Sequence, residues 1–226
     1  MNIVNNLSAV QTIANALSDL NKKVVFVGGA VVSLYSNDPA ADDMRETEDV
    51  DITLEITSLV ELEMIRELLT QKGFTQSADD KVMCRFHYKG IVVDVMSTEE
   101  MGWAPGNPWF KSGFLHLQQR QVGEITINIL PLAYFLATKF SAYHGRGGND
   151  PLASHDFEDI TYILDNRTDL VEEIHNSPVE VQSFLKVEFK EIIDSNLLQE
   201  AILGNLPYQI QTARSLISGN TNCYLL

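Results

Sequence analysis

The sequence predicts an α/β (α+β) domain followed by a helical one, and three observations lead there. Up to about residue 130, short β-branched runs alternate with helical patterns, whereas beyond it nearly every stretch reads as helix. Pro131 falls near that change, and no internal repeat or low-complexity linker marks another boundary. A length of 226 residues with 45% hydrophobic side chains is enough for two modest cores. Residues 1–130 and 131–226 are therefore the expected domains.

In chain order, Val4, Leu7, Val10, Ile13, Ala14 and Leu17 recur at helical spacing, and residues 23–27 form an apolar run that reads as a buried strand. Gly28 and Gly29 end that strand. Residues 30–35 are apolar enough for a short helix begun at the glycines, which Ser36-Asn37-Asp38-Pro39 stops. A polar, acidic loop (38–48) then leads to residues 49–55, a strand by their alternation. Residues 58–72 make an amphipathic helix closed by Gly73, followed by strands around 83–88 and 91–96. Residues 101–113 are a loop rich in Gly, Pro and Trp.

Sixteen Lys and Arg against thirty-one Asp and Glu leave a formal charge of −15, which opposes a broadly basic nucleic-acid binder. The charge is uneven. Residues 81–150 hold seven basic and five acidic side chains, while acids dominate both flanking segments, so an anionic substrate is expected to meet the middle third. Cys84 and Cys223 form neither a metal cluster nor a disulfide framework and fit a reducing cytoplasm. The N-terminal stretch lacks a basic region followed by an apolar core, and no run of about 18 apolar residues follows. A cytoplasmic protein with no membrane partner is expected.

Three pieces carry chemistry. Gly28-Gly29 lack β-carbons, so backbone N–H groups there can approach a phosphate at the start of a helix; a plain tight turn is the competing reading. Asp49 and Asp51, two apart on a strand, project from one face and place two carboxylates side by side. Hard oxygen donors of this kind suit Mg²⁺ or Mn²⁺, while a solvated acidic strand end is the alternative. Asp94 is the single carboxylate in an apolar strand, Ile91 to Met96, and needs a partner if it lies inside. Should its strand neighbour that of Asp49 and Asp51, the three carboxylates converge into a two-metal site.

An apolar strand, Gly-Gly, a short helix, Asp-x-Asp on the next strand and one Asp on a later apolar strand resembles the nucleotidyltransferase superfamily typified by DNA polymerase beta. The motifs are VFVGGAVVS, DVDITLE and VVDVM. The stretch PLAYFLATKFSAYHGRGGNDPLASHDFEDITYIL narrows the likeness to AbiEii-type nucleotidyltransferases, including toxins of bacterial toxin–antitoxin systems. In that family a Pro-led helix with an inward Lys is followed by an Arg, a loop and an Asp-x-x-Asp helix, positions that Lys139, Arg146 and Asp156/Asp159 would hold. The likeness covers about residues 20 to 165, and it departs in a longer gap from Gly29 to Asp49 and in His155 where a basic side chain is usual.

The resemblance implies a small mixed sheet with flanking helices and a C-terminal helical domain completing the nucleotide cleft. It also implies transfer of a nucleoside monophosphate from a nucleoside triphosphate to an acceptor hydroxyl, with two Mg²⁺ or Mn²⁺ ions on the catalytic residues Asp49, Asp51 and Asp94. Gly28, Gly29, Ser33, Lys139, Arg146 and Asp156 would bind the nucleotide, Asp156 by orienting Lys139. Taken as residues alone, Lys139 either snorkels outward or meets a phosphate, Arg146 is a phosphate ligand or a solvated loop residue, Ser33 donates to a phosphate or packs into its helix, and Asp156 and Asp159 are first-turn caps or partners of Lys139. The implied acceptor is RNA, including tRNA, with an antitoxin protein as partner.

Other readings are an antibiotic-modifying enzyme acting on a small hydroxylated molecule, and a non-catalytic binding module of the same fold. His144, His155, Asp156 and Asp159 also suggest faintly a helical His/Asp metal pair of the phosphohydrolase kind. Aromatics interleaved with basic residues from Trp103 to Arg120 could stack a base or serve as packing.

Overall fold

The computed structural model describes residues 6–41, 44–145 and 150–206. Val4, Asp42, Asp43, Arg146 and Cys223 of the sequence reading lie outside the described residues. The chain divides into two compact units. One draws on residues up to Leu34 and on Arg45–Pro131, the other on Tyr35–Met44 and the chain from Leu132 onward.

The first unit is built on a six-stranded mixed sheet. Its strands are β1 (Val25–Val27), β2 (Asp49–Leu54), β3 (Arg85–Tyr88), β4 (Ile91–Ser97), β5 (Gln118–Val122) and β6 (Ile125–Ile129), in the order β3-β4-β2-β1-β6-β5. β2 runs parallel to β4 and antiparallel to β1, and β1 runs parallel to β6. The β1 run Val25-Phe26-Val27 is buried throughout, as its unbroken apolar sequence requires of a central strand. β2 and β4 instead alternate, with Val50 and Ile52 buried beside half-buried Asp49 and Asp51, and Val93 and Val95 buried on either side of half-buried Asp94.

Helix α1 (Asn6–Leu17) buries Val10, Ile13, Ala14 and Leu17, the stripe that its spacing predicts. Helix α2 (Leu59–Gln71) starts at Ser58, whose side chain accepts from the Glu61 N–H, while the Glu61 carboxylate accepts from the Thr57 N–H at 2.9 Å. The short helix after the glycines is a 3-10 helix, Gly29–Tyr35, rather than an α-helix. Adjacent β-branched Val31 and Val32 are poor α-formers, and 3-10 geometry aligns Val32 with Tyr35 on one buried face. A four-residue turn, α3 (Phe110–Gly113), interrupts the loop before β5.

The second unit is helical: α4 (Leu132–Gly145), α5 (His155–Asn166), α6 (Leu170–His175), α7 (Val179–Asp194) and α8 (Asn196–Asn205). α4 is buried on nearly every side, as its almost wholly apolar sequence demands. Segment 35–44 joins this unit through specific contacts. Tyr35 stacks on Phe135 with centroids 4.2 Å apart, its carbonyl accepts from Arg167 at 3.1 Å, and the Asn37 N–H donates to the carbonyl of Asn166 at 3.1 Å. Among the described residues, no helix is long and apolar enough to cross a membrane.

Candidate active site

The carboxylate site follows from strand register. Parallel pairing sets Asp51 of β2 directly opposite Asp94 of β4, and Asp49 lies two residues back on the same face of β2. One oxygen from each of Asp49, Asp51 and Asp94 lies within 4.8 Å of the others. Three anions this close repel strongly unless positive charge joins them. The set is all oxygen, partly exposed and convergent, which fits a hard divalent cation.

Arg85 on β3 stands across from Asp94 in antiparallel register. Its guanidinium donates from Nε to Asp94 Oδ1 at 2.8 Å and from Nη2 to Asp94 Oδ2 at 2.7 Å, with Nη2 also 3.4 Å from Asp49 Oδ2. The bidentate bond to Asp94 is the main cause that raises the guanidinium's pKa above its ordinary value. Sequence reading missed Arg85, although a signal existed. The two-residue turn Lys89-Gly90, both with positive φ, closes the β3-β4 hairpin, and counting back from it pairs residue 85 with 94. Nearby Cys84 is buried, and loss of hydration pushes its thiol up to about 11, the Asp94 carboxylate adding to the rise.

Gly28 has φ +72°, and a β-carbon there would fall 1.8 Å from Asp51 Oδ2. Its glycine is therefore required twice, by the left-handed backbone and by the approach of Asp51. Gly29 opens the 3-10 helix, and Ser33 is half-buried one turn along it.

Lys139 does not snorkel outward. It lies in α4 with its side chain 8% exposed, and its amine meets Asp156 Oδ1 at 3.1 Å and Asp159 Oδ2 at 2.5 Å. Capping of α5 is done by Ser154, whose hydroxyl accepts from the Phe157 N–H, so Asp156 and Asp159 are free of that role and turn inward on one helix face. Both aspartates, rather than Asp156 alone, hold the lysine.

The His/Asp phosphohydrolase reading finds no support in these positions. His144 pairs with Glu188 at 2.8 Å and His155 with Glu158 at 3.1 Å, while both aspartates face Lys139. Much of the aromatic–basic stretch is packing. Trp103, Trp109 and Phe110 are buried; Trp103 meets Phe86, lies under Arg66, and donates from its indole N–H to Glu63 at 2.9 Å. Lys111 pairs with Glu99 at 3.1 Å.

Two outcomes follow. Gly28→Ala, which strains a left-handed backbone and sets a β-carbon against Asp51, is expected to cost about 1–3 kcal/mol of unfolding free energy in urea titrations. Lys139→Met leaves two buried carboxylates without their cation and is expected to cost about 3–5 kcal/mol of unfolding free energy in urea titrations.

Among solved structures, the chain is similar to an antigenic nucleotidyltransferase-like protein from Paracoccidioides brasiliensis, at 18% identity and TM-score 0.49, covering 88% of this chain and 93% of that one. It is also similar to the antibiotic-resistance factor ANT(2'')-Ia, at 12% identity and TM-score 0.47, covering 82% of this chain and 94% of that one. No curated protein sequence matches it. The family model described as "Nucleotidyl transferase AbiEii toxin, Type IV TA system" matches residues 12–190. That span takes in the whole sheet, Asp49, Asp51 and Asp94, and Lys139 with its two aspartates. The chain thus belongs to the AbiEii family and is a nucleotidyltransferase.

Proposed function

We propose that the protein moves a nucleoside monophosphate from a nucleoside triphosphate to a hydroxyl of RNA, with a tRNA 3′ end as acceptor. The observation that carries nucleotidyl transfer is the convergence of Asp49, Asp51 and Asp94 within 4.8 Å in a member of a nucleotidyltransferase family; the RNA acceptor rests on the resemblance to AbiEii-type toxins. In the reaction the acceptor oxygen forms a bond to the α-phosphorus on one side. The bond from that phosphorus to its bridging oxygen breaks on the other, and pyrophosphate leaves with the electron pair. The hydroxyl proton passes to Asp94, directly or through water. Two Mg²⁺ or Mn²⁺ ions held by Asp49, Asp51 and Asp94 would acidify the acceptor hydroxyl and neutralise the triphosphate and leaving group.

Residues 1–130 carry the catalytic carboxylates in this scheme, and residues 131–226 would complete the nucleotide site. Gly28 and Gly29 let backbone N–H groups come close to the phosphates, with the Ser33 hydroxyl as a further donor. Lys139 and Arg146 are the side chains assigned to the triphosphate; Asp156 and Asp159 orient the Lys139 amine as a hydrogen-bond donor and offset its charge. The family's description as the toxin of a type IV toxin–antitoxin system supports an antitoxin protein as partner. Asp51→Ala is expected to lower transfer at least about 1,000-fold while leaving the thermal melt in place, because it removes a carboxylate that acts on the transition state. Full activity in that variant would remove the metal assignment.

A small hydroxylated molecule is the second acceptor class. Carboxylates engage Arg85, Lys111 and Lys139, three of the seven basic residues in the middle third, which lowers the positive charge a polyanion would meet there. Incubating the protein with Mg²⁺ or Mn²⁺, each labelled nucleoside triphosphate, and either total tRNA or aminoglycosides and lincosamides separates the two. Label on tRNA is the expected result. Label on a small molecule selects the second class, and triphosphate binding with no transfer to any acceptor points to a non-catalytic module.

A further inference from the structure

We propose that Arg85 is a resident counter-ion of the carboxylate cluster and withdraws from Asp94 when a divalent cation enters. The inference rests on reading Asp49, Asp51 and Asp94 as the cation's ligands. Geometry makes the two occupants rivals. The guanidinium takes both oxygens of Asp94, at 2.8 and 2.7 Å, and reaches Asp49 with the same Nη2 at 3.4 Å. A cation shared by Asp49, Asp51 and Asp94 needs lone pairs on those same carboxylates, and it would meet a fixed positive charge at short range.

The chain has a reason to place Arg85 there. Three clustered carboxylates without a cation would repel one another and strain the β2-β4 pairing, and the hairpin register supplies a planar fork opposite Asp94. Arg85 also has a way out. Its side chain is 32% exposed, against 16% for that of Asp94, so the guanidinium can swing into water while the carboxylate stays on the strand.

The test uses the full chain, with no nucleotide present. In wild-type protein carrying ¹⁵N-labelled arginine, the Arg85 Nε–H signal is assigned by its loss in Arg85→Lys. Titration with MgCl₂ is expected to shift that signal and to speed its hydrogen exchange at least about tenfold, as expected of an N–H that has lost a charge-assisted bond. In parallel, Mn²⁺ affinity is measured by the electron paramagnetic resonance signal of the free ion. Arg85→Gln is expected to bind about tenfold more tightly than wild type, equivalent to one competing charge-assisted hydrogen bond removed. Arg85→Lys, which keeps the charge, should fall between the two. An unchanged Nε–H signal at saturating Mg²⁺ overturns the proposal, even if Arg85→Gln fails to fold. Equal or weaker Mn²⁺ binding by folded Arg85→Gln overturns it as well. Wild-type Mn²⁺ binding that persists in Asp94→Asn, or is absent altogether, instead overturns the cation-site reading, and this inference with it.

Discussion

The parallel pairing of β2 with β4 brings Asp51 opposite Asp94 with Asp49 alongside, and the mutual repulsion of these carboxylates governs the surrounding structure. The place this pairing gives Asp51 also requires glycine at 28, since any β-carbon there would fall on the Asp51 carboxylate. The repulsion explains the fork of Arg85 on the neighbouring strand, because one positive group among three negative ones lowers it while leaving a formal excess of negative charge. The hydrophobic faces of the same strands, Val50 and Ile52 on β2 and Val93 and Val95 on β4, hold the register that the charged face resists. Burial on one side of the sheet thus offsets electrostatic cost on the other.

The second unit treats charge differently. Lys139 and its two aspartates are nearly closed to solvent, and the triad joins α4 to α5. Such a cluster holds its members in fixed positions, because removing one leaves the others buried and uncompensated. The strand carboxylates are partly open instead, with an occupant that can exchange. The buried triad fixes the Lys139 amine in place, whereas the open oxygen cluster suits the entry of ions.

Much of the fold was legible because the patterns were local. The α1 stripe, the buried β1 run, the Ser58–Gly73 helix, the alternation of β2 and the apolar run of β4 each follow from the pattern of apolar residues within one segment. Asp49, Asp51 and Asp94 stood out for the same reason, as carboxylates set into apolar strands. Arg85 did not, since its importance depends on which residue faces it across a hairpin. The ambiguity over Asp156 and Asp159 was likewise resolved only by finding Ser154 in the capping position and Lys139 beneath the helix. The aromatics from Trp103 onward read in sequence as either a stacking surface or packing, and Phe86, Arg66 and Glu63 pack against Trp103.

By itself the sequence determined the two kinds of segment, the strand that bears paired aspartates, the glycine turn and the family motifs, because composition and periodicity act along a few residues at a time. Only the tertiary structure decided that Asp94 faces Asp51, that Arg85 bridges Asp94 and Asp49, and that Lys139 lies between two aspartates. Those are contacts between residues distant in the chain, and charge interactions depend on separation in space, which strand register and helix packing set. The −15 formal charge is a property of the sequence; which acids share a site, and which cation answers them, is a property of the fold.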